Sequence, residues 1–90
     1  MSEHRLLVVE DDEAIGSSLQ RALVNSGYDV TWVTSVADAR SVVDEPDLVL
    51  LDAGLPDGDG VDLARALAAR WPAVPVIMLT ARAEETDVVI

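Results

Sequence analysis

Three unbroken apolar runs decide what this chain can fold into. Leu6-Leu7-Val8-Val9, Leu48-Val49-Leu50-Leu51 and Val76-Ile77-Met78-Leu79 contain no polar residue to turn toward water. A strand that alternates apolar and polar residues can lie on a wetted sheet. A strand apolar throughout must be covered on both faces, the condition of a parallel sheet in an α/β protein. The last run belongs to a predicted strand over 74–79, entered through Pro75. A further strand fits 28–33, where Tyr28, Val30, Trp32 and Val33 suit a pleated surface.

Between these stretches the period changes from strand to helix. Ile15, Leu19, Ala22 and Leu23 fall on one helical face, with acids at 11–13 at its positive end and Gly27 as a left-handed cap after Asn25-Ser26. Thr34 or Ser35 can cap a second helix with Val36, Ala39 and Val43 on one face, closed by Pro46. Residues 53–60 hold three glycines and a proline and read as loop. Asp59 can cap a third helix carrying Val61, Ala64, Leu67 and Ala68, which Trp71-Pro72 ends. Residues 80–83 read as loop, and Glu84-Glu85 opens a helical segment that runs to the chain end. The order βαβαβαβ predicts one doubly wound parallel sheet.

Composition narrows the chemistry. The 90 residues carry a net charge of −11, and all cations are arginine. Such a chain is repelled by DNA, RNA and anionic membranes, so no nucleic-acid or membrane partner is expected for these residues. No apolar run approaches the roughly 18 residues that a membrane helix needs, and Glu10-Asp11-Asp12-Glu13 interrupts any secretory signal. Cysteine is absent, which removes disulfides, thiolate metal sites and thiol nucleophiles. His4 is the single histidine and reads as a surface residue, so Ser-His-Asp chemistry lacks a part. A cytoplasmic location is the expectation.

In open α/β sheets ligands bind beyond the carboxyl ends of the strands. Glu10, Asp11 and Asp12 follow the first strand, Asp52 the third, and Thr80-Ala81 the fourth. If the first and third strands are neighbours, Glu10, Asp11 and Asp52 share one crevice. Two unit charges about 5 Å apart repel by about 3 kcal/mol at an effective dielectric of 20. Three such carboxylates therefore call for a cation or for protons. An all-oxygen donor set selects a hard ion, magnesium first. Asp52 could then serve as a nucleophile, and Thr80 as a hydroxyl donor to a phosphoryl oxygen. Asp12 and Glu13 fit simple helix capping better, and Asp57 and Asp59 fit turn and cap roles. Trp32 and Trp71 read as packing residues. The loop 54–60 lacks the Lys-Ser/Thr ending of a phosphate cradle.

The stretches Leu6–Asp12, Leu48–Gly60 and Val76–Ala81 together resemble the receiver domain of two-component response regulators, over essentially the whole chain. The wording Gly-Leu-Pro-Asp-Gly-Asp-Gly is similar to that of the class with a winged-helix DNA-binding output. The resemblance implies a flavodoxin-like sheet in the order 2-1-3-4-5. It implies that Asp52 accepts a phosphoryl group from a phosphohistidine on a sensor histidine kinase. Asp11 would hold Mg2+ directly and Glu10 through water, with Asp52 and the Gly54 carbonyl completing the protein's donors. Thr80 would be the switch hydroxyl, and Pro56, Asp59 and Gly60 would shape the loop. The resemblance makes residues 1–90 a receiver domain ending within the fourth helix, without the fifth strand, its lysine and the last helix. From this follow an exposed edge on the fourth strand, available to a second copy in a homodimer, and a bare apolar patch on one sheet face. The function implied is a signalling switch controlling a DNA-binding, transcriptional output domain, with self-phosphorylation and slow hydrolysis as its own chemistry. A non-phosphorylated interaction module is the alternative, because the chain contains no lysine. A magnesium phosphohydrolase is more distant, because no Asp-x-Asp follows the first or the third strand.

Overall fold

A computed structural model of the chain describes residues 4–79 in full and the backbone of 87–89. Along the chain come β1 (Arg5–Val9), α1 (Glu13–Asn25), β2 (Asp29–Val33), α2 (Val36–Arg40), β3 (Leu48–Asp52), α3 (Gly60–Arg70), β4 (Val76–Leu79) and β5 (Asp87–Val89). They form one sheet in the order β2-β1-β3-β4-β5. The first four strands in this order are parallel, the doubly wound arrangement that the apolar runs require.

The register fixes where the strand ends fall. Val9 pairs with Val33 on one side and Leu51 on the other, and Asp52 pairs with Leu79. The residue after β1 and the last residue of β3 therefore emerge side by side at the carboxyl edge. The core lies on the face covered by α2 and α3. There Leu7, Val9, Val49, Leu51, Val76 and Met78 meet Ala39, Leu63, Ala64, Leu67 and Trp71. Burying each large aliphatic side chain in such a layer contributes about 1.5–3 kcal/mol.

Among the described residues, the opposite face carries α1 alone. Along β3 and β4 burial alternates, with Leu48, Leu50, Ile77 and Leu79 only half-buried. Ile15 on α1 is 50% exposed. Among the described residues, this is the less covered side of β3 and β4.

Caps fall where the sequence put them. Asp12 accepts from the Ile15 N–H at 3.0 Å, Ser35 from the Asp38 N–H at 3.1 Å, and Asp59 from the Val61 N–H at 2.8 Å. Gly27, with φ of 97°, occupies the left-handed position after α1.

Three expectations are corrected. The second helix stops at Arg40 instead of running past Val43. Two consecutive β-branched residues, Val42 and Val43, resist helix, and Val43 is 80% exposed instead of lying on a buried face. At the chain end, Asp87–Val89 is a strand and not the continuation of a helix, in keeping with its paired valines. It runs antiparallel to β4, pairing Val76 with Val89, Ile77 with Val88 and Met78 with Asp87. The outer edge of β4 is thus occupied from within the chain, and pairing of a second copy along that edge loses its basis.

Candidate acidic metal and phosphoryl site

Glu10 follows the last residue of β1, and its N–H still donates to the Val33 carbonyl at 3.0 Å, extending the ladder by one step. The chain then turns into α1. The Asp12 N–H points back to Glu10 Oε2 at 3.1 Å, while the Asp12 carboxylate caps the helix. Asp12 is thereby used as a cap, as its position suggested. Asp11, between them, is exposed and free to face the crevice.

Asp52 ends β3 on the neighbouring strand. Its Oδ1 accepts from the Gly54 N–H at 3.1 Å, which folds the following loop back over the carboxylate. The Ala53 N–H donates to the Leu79 carbonyl at 3.1 Å, so the start of this loop is anchored to β4. Gly60 closes the loop against the same strand end. A Cβ there would lie 2.6 Å from Ala53 Cα and 2.9 Å from the Asp52 carbonyl oxygen, so only glycine lets α3 start this close to the site.

Glu10, Asp11 and Asp52 come together. Each offers a carboxylate oxygen, and these oxygens all lie within 4.8 Å of one another. Glu10 is the one buried charged residue among those described, at 6% exposure. Its pKa is pushed up from 4.5 to about 7. Burial is the main cause. The Asp12 N–H opposes the rise, whereas the hydrogen bond with Asp52 and the charges of Asp52 and Asp11 add to it. The pocket therefore holds a proton or attracts a cation, and its donors are hard oxygens suited to Mg2+. The set fits that ion on its own chemistry.

Thr80 lies outside the described residues. Gly54 stands at the mouth of the crevice, its N–H turned to Asp52. A cleft of about 360 Å³ at the other end of the sheet, lined by Arg5, Asp29, Val42, Asp44 and Pro46 among others, brings together no comparable set of groups.

Two residues at the site do more than their sequence positions suggested. Asp57, a turn residue by composition, accepts from the N–H groups of Val36 and Ala37 at 2.8 and 3.1 Å and so ties the loop after Asp52 to the start of α2. These two bonds hold its carboxyl below the usual carboxylate range. Trp32 packs against α1, as a packing residue should, but its indole N–H also donates to the Glu10 carbonyl at 2.9 Å. No local pattern signals either link, because each spans about twenty residues. Trp71 is a core residue, with the Arg70 guanidinium 4.5 Å above its ring.

Comparison with known proteins decides the family. A profile of the family described as the response regulator receiver domain matches residues 6–90. The chain belongs to the response regulator receiver family. The receiver is 44% identical, over 84 residues, to the KDP operon transcriptional regulatory protein KdpE of Escherichia coli, covering 91% of this chain and 37% of KdpE. It thus spans little more than a third of such regulators. Among solved structures it superposes on the non-phosphorylated HemR receiver domain of Leptospira biflexa with a TM-score of 0.84 at 38% identity, covering 90% of this chain and 67% of the other. It is similar also to the response regulator TrrA of Thermotoga maritima in complex with Mg(2+)-BeF, with a TM-score of 0.83 at 28% identity, covering 93% and 73% of the two chains. Among the described residues of the receiver, no helix is long and apolar enough to cross a membrane.

Proposed function

We propose that this receiver is a phosphorylation switch in which Asp52 takes a phosphoryl group from a phosphohistidine on a sensor histidine kinase. The observation that carries this reading is the meeting of Glu10, Asp11 and Asp52 oxygens within 4.8 Å at the carboxyl edge of parallel strands. The likeness to TrrA, a response regulator whose structure is in complex with Mg(2+)-BeF, is in keeping with this reading.

Asp11, Asp52, the Gly54 carbonyl and Glu10 (through water) would hold Mg2+. When bound, the ion supplies positive charge that shields the phosphoryl oxygens from these carboxylates. The chain's residues do the rest. The Gly54 N–H fixes the Asp52 carboxylate, so that one oxygen stays available for in-line attack. That oxygen forms the new O–P bond as the N–P bond of the donor breaks, and the electron pair stays on the departing imidazole. Glu10, with its raised pKa, gives up its proton when a cation arrives. Thr80 donates its hydroxyl to a phosphoryl oxygen. Hydrolysis of the Asp52 acyl phosphate resets the switch, and no diffusible substrate is turned over. By analogy with relatives named as transcriptional regulators and DNA-binding response regulators, the receiver controls a DNA-binding output in the cytoplasm.

Labelling tests the assignment. Acetyl phosphate with Mg2+ should give one acid-labile phosphoryl group per chain, and Asp52→Asn should abolish it. A variant labelled as well as the parent removes Asp52 from its role. A parent that takes no label favours a non-phosphorylated interaction module.

A further inference from the structure

Glu10 stands just past the end of β1, where the strand ladder no longer holds the chain on both sides. Its N–H is still held by β2, through the Val33 carbonyl. Its carbonyl is held by β2 as well, but by a side chain, the indole of Trp32 at 2.9 Å. The Glu10 carbonyl and the Asp11 N–H belong to one planar peptide unit. A single hydrogen bond to that carbonyl therefore orients the backbone from which both acidic side chains project.

Trp32 reaches this carbonyl only because α1 makes room. Gly16 is buried in α1, and a Cβ added to it would lie 2.2 Å from Trp32 Cε2 and Cζ2 and 2.5 Å from Nε1. Nothing local to α1 asks for glycine: the helix continues through it, and glycine weakens a helix interior by about 1 kcal/mol relative to alanine. The glycine is accounted for by the indole lying against it.

We propose that Trp32 is a positioning residue for the metal pocket, that its indole N–H fixes the Glu10–Asp11 peptide, and that Gly16 is the notch that admits it. The proposal rests on the reading of Glu10, Asp11 and Asp52 as a Mg2+ site. A tryptophan that merely filled space would leave metal affinity alone when its N–H is removed. Partners that orient metal ligands from behind typically carry about 10–100-fold in affinity.

Mg2+ affinity measured by calorimetry on the folded chain separates the two. Trp32→Phe keeps a ring but loses the donor, and we expect Mg2+ to bind about tenfold more weakly. Gly16→Ala displaces the indole from the helix side and should weaken binding comparably. In a Trp32→Val background, Gly16→Ala should add no further loss, because the two residues act through one bond. A parent that binds Mg2+ and a folded Trp32→Phe chain that binds it equally well overturn the proposal alone. A parent that binds no Mg2+ overturns the metal reading and the proposal with it. Should Trp32→Phe not fold, unchanged affinity in Gly16→Ala overturns the proposal, and weakened affinity supports it.

Discussion

The raised pKa of Glu10 makes the metal-free receiver less stable as the solution becomes more alkaline, and the size of the effect follows from the site. In the folded protein the group titrates at about 7, against 4.5 for an ordinary glutamate. Between those values the native state keeps a proton that the unfolded chain has released. Stability therefore declines as pH rises through this window and levels off above it, by about 3 kcal/mol in all at about 1.4 kcal/mol per unit. That is a large share of the roughly 5–15 kcal/mol that holds a small domain together. Glu10→Gln removes the titration and keeps an oxygen to accept the Asp12 N–H. The difference between parent and variant isolates Glu10 from the general repulsion in a chain of net charge −11. Urea unfolding at several pH values, at fixed ionic strength and in a chelator, supplies the curves. Excess Mg2+ should reverse the trend for the parent, because the ion binds the ionised pocket. A parent-minus-variant difference that is flat, or that rises with pH in the chelator, would refute the reasoning.

Two further perturbations bear on the core and the loop. Leu63→Ala opens a cavity at a fully buried position between α3 and the sheet and should lower unfolding free energy by about 2–5 kcal/mol, read by denaturant titration. Gly60→Ala forces a Cβ against the backbone of Asp52 and Ala53, so it should lower both Mg2+ affinity and acetyl phosphate labelling, whereas Leu63→Ala should spare Mg2+ affinity.

How much of this was legible before folding depends on whether the information is local. The strands β1 and β3 were plain, because four consecutive apolar residues have few other places to go. The convergence of Glu10, Asp11 and Asp52 followed from their places after strands, once those strands are neighbours, and β1 and β3 do pair. The caps Asp12, Ser35 and Asp59 were readable because each acts on a residue two or three positions ahead. The end of α2 is not legible from Pro46, which marks where a helix cannot continue, because the two valines before it already stop the helix. The strand at 87–89 is hidden in the sequence because the acids before it suggest a helix start, while its valines pair with β4, a tertiary contact no window of sequence contains. The grip of Asp57 on α2 and of Trp32 on Glu10 escaped for the same reason. They connect residues on different elements, and only the register of β1 against β2 and the course of the loop after Asp52 bring them together.

The claim beneath the rest is that one divalent ion is shared by carboxylates from two strands. A Mg2+ titration followed through the side-chain carboxyl resonances of the receiver tests it most directly. The signals of Glu10, Asp11 and Asp52 should move together along a single binding curve, while those of Asp44 and Asp47 at the far end of the sheet stay in place. Shifts confined to Glu10 and Asp11 with Asp52 unmoved, or no saturable shift in any of the three, would contradict it.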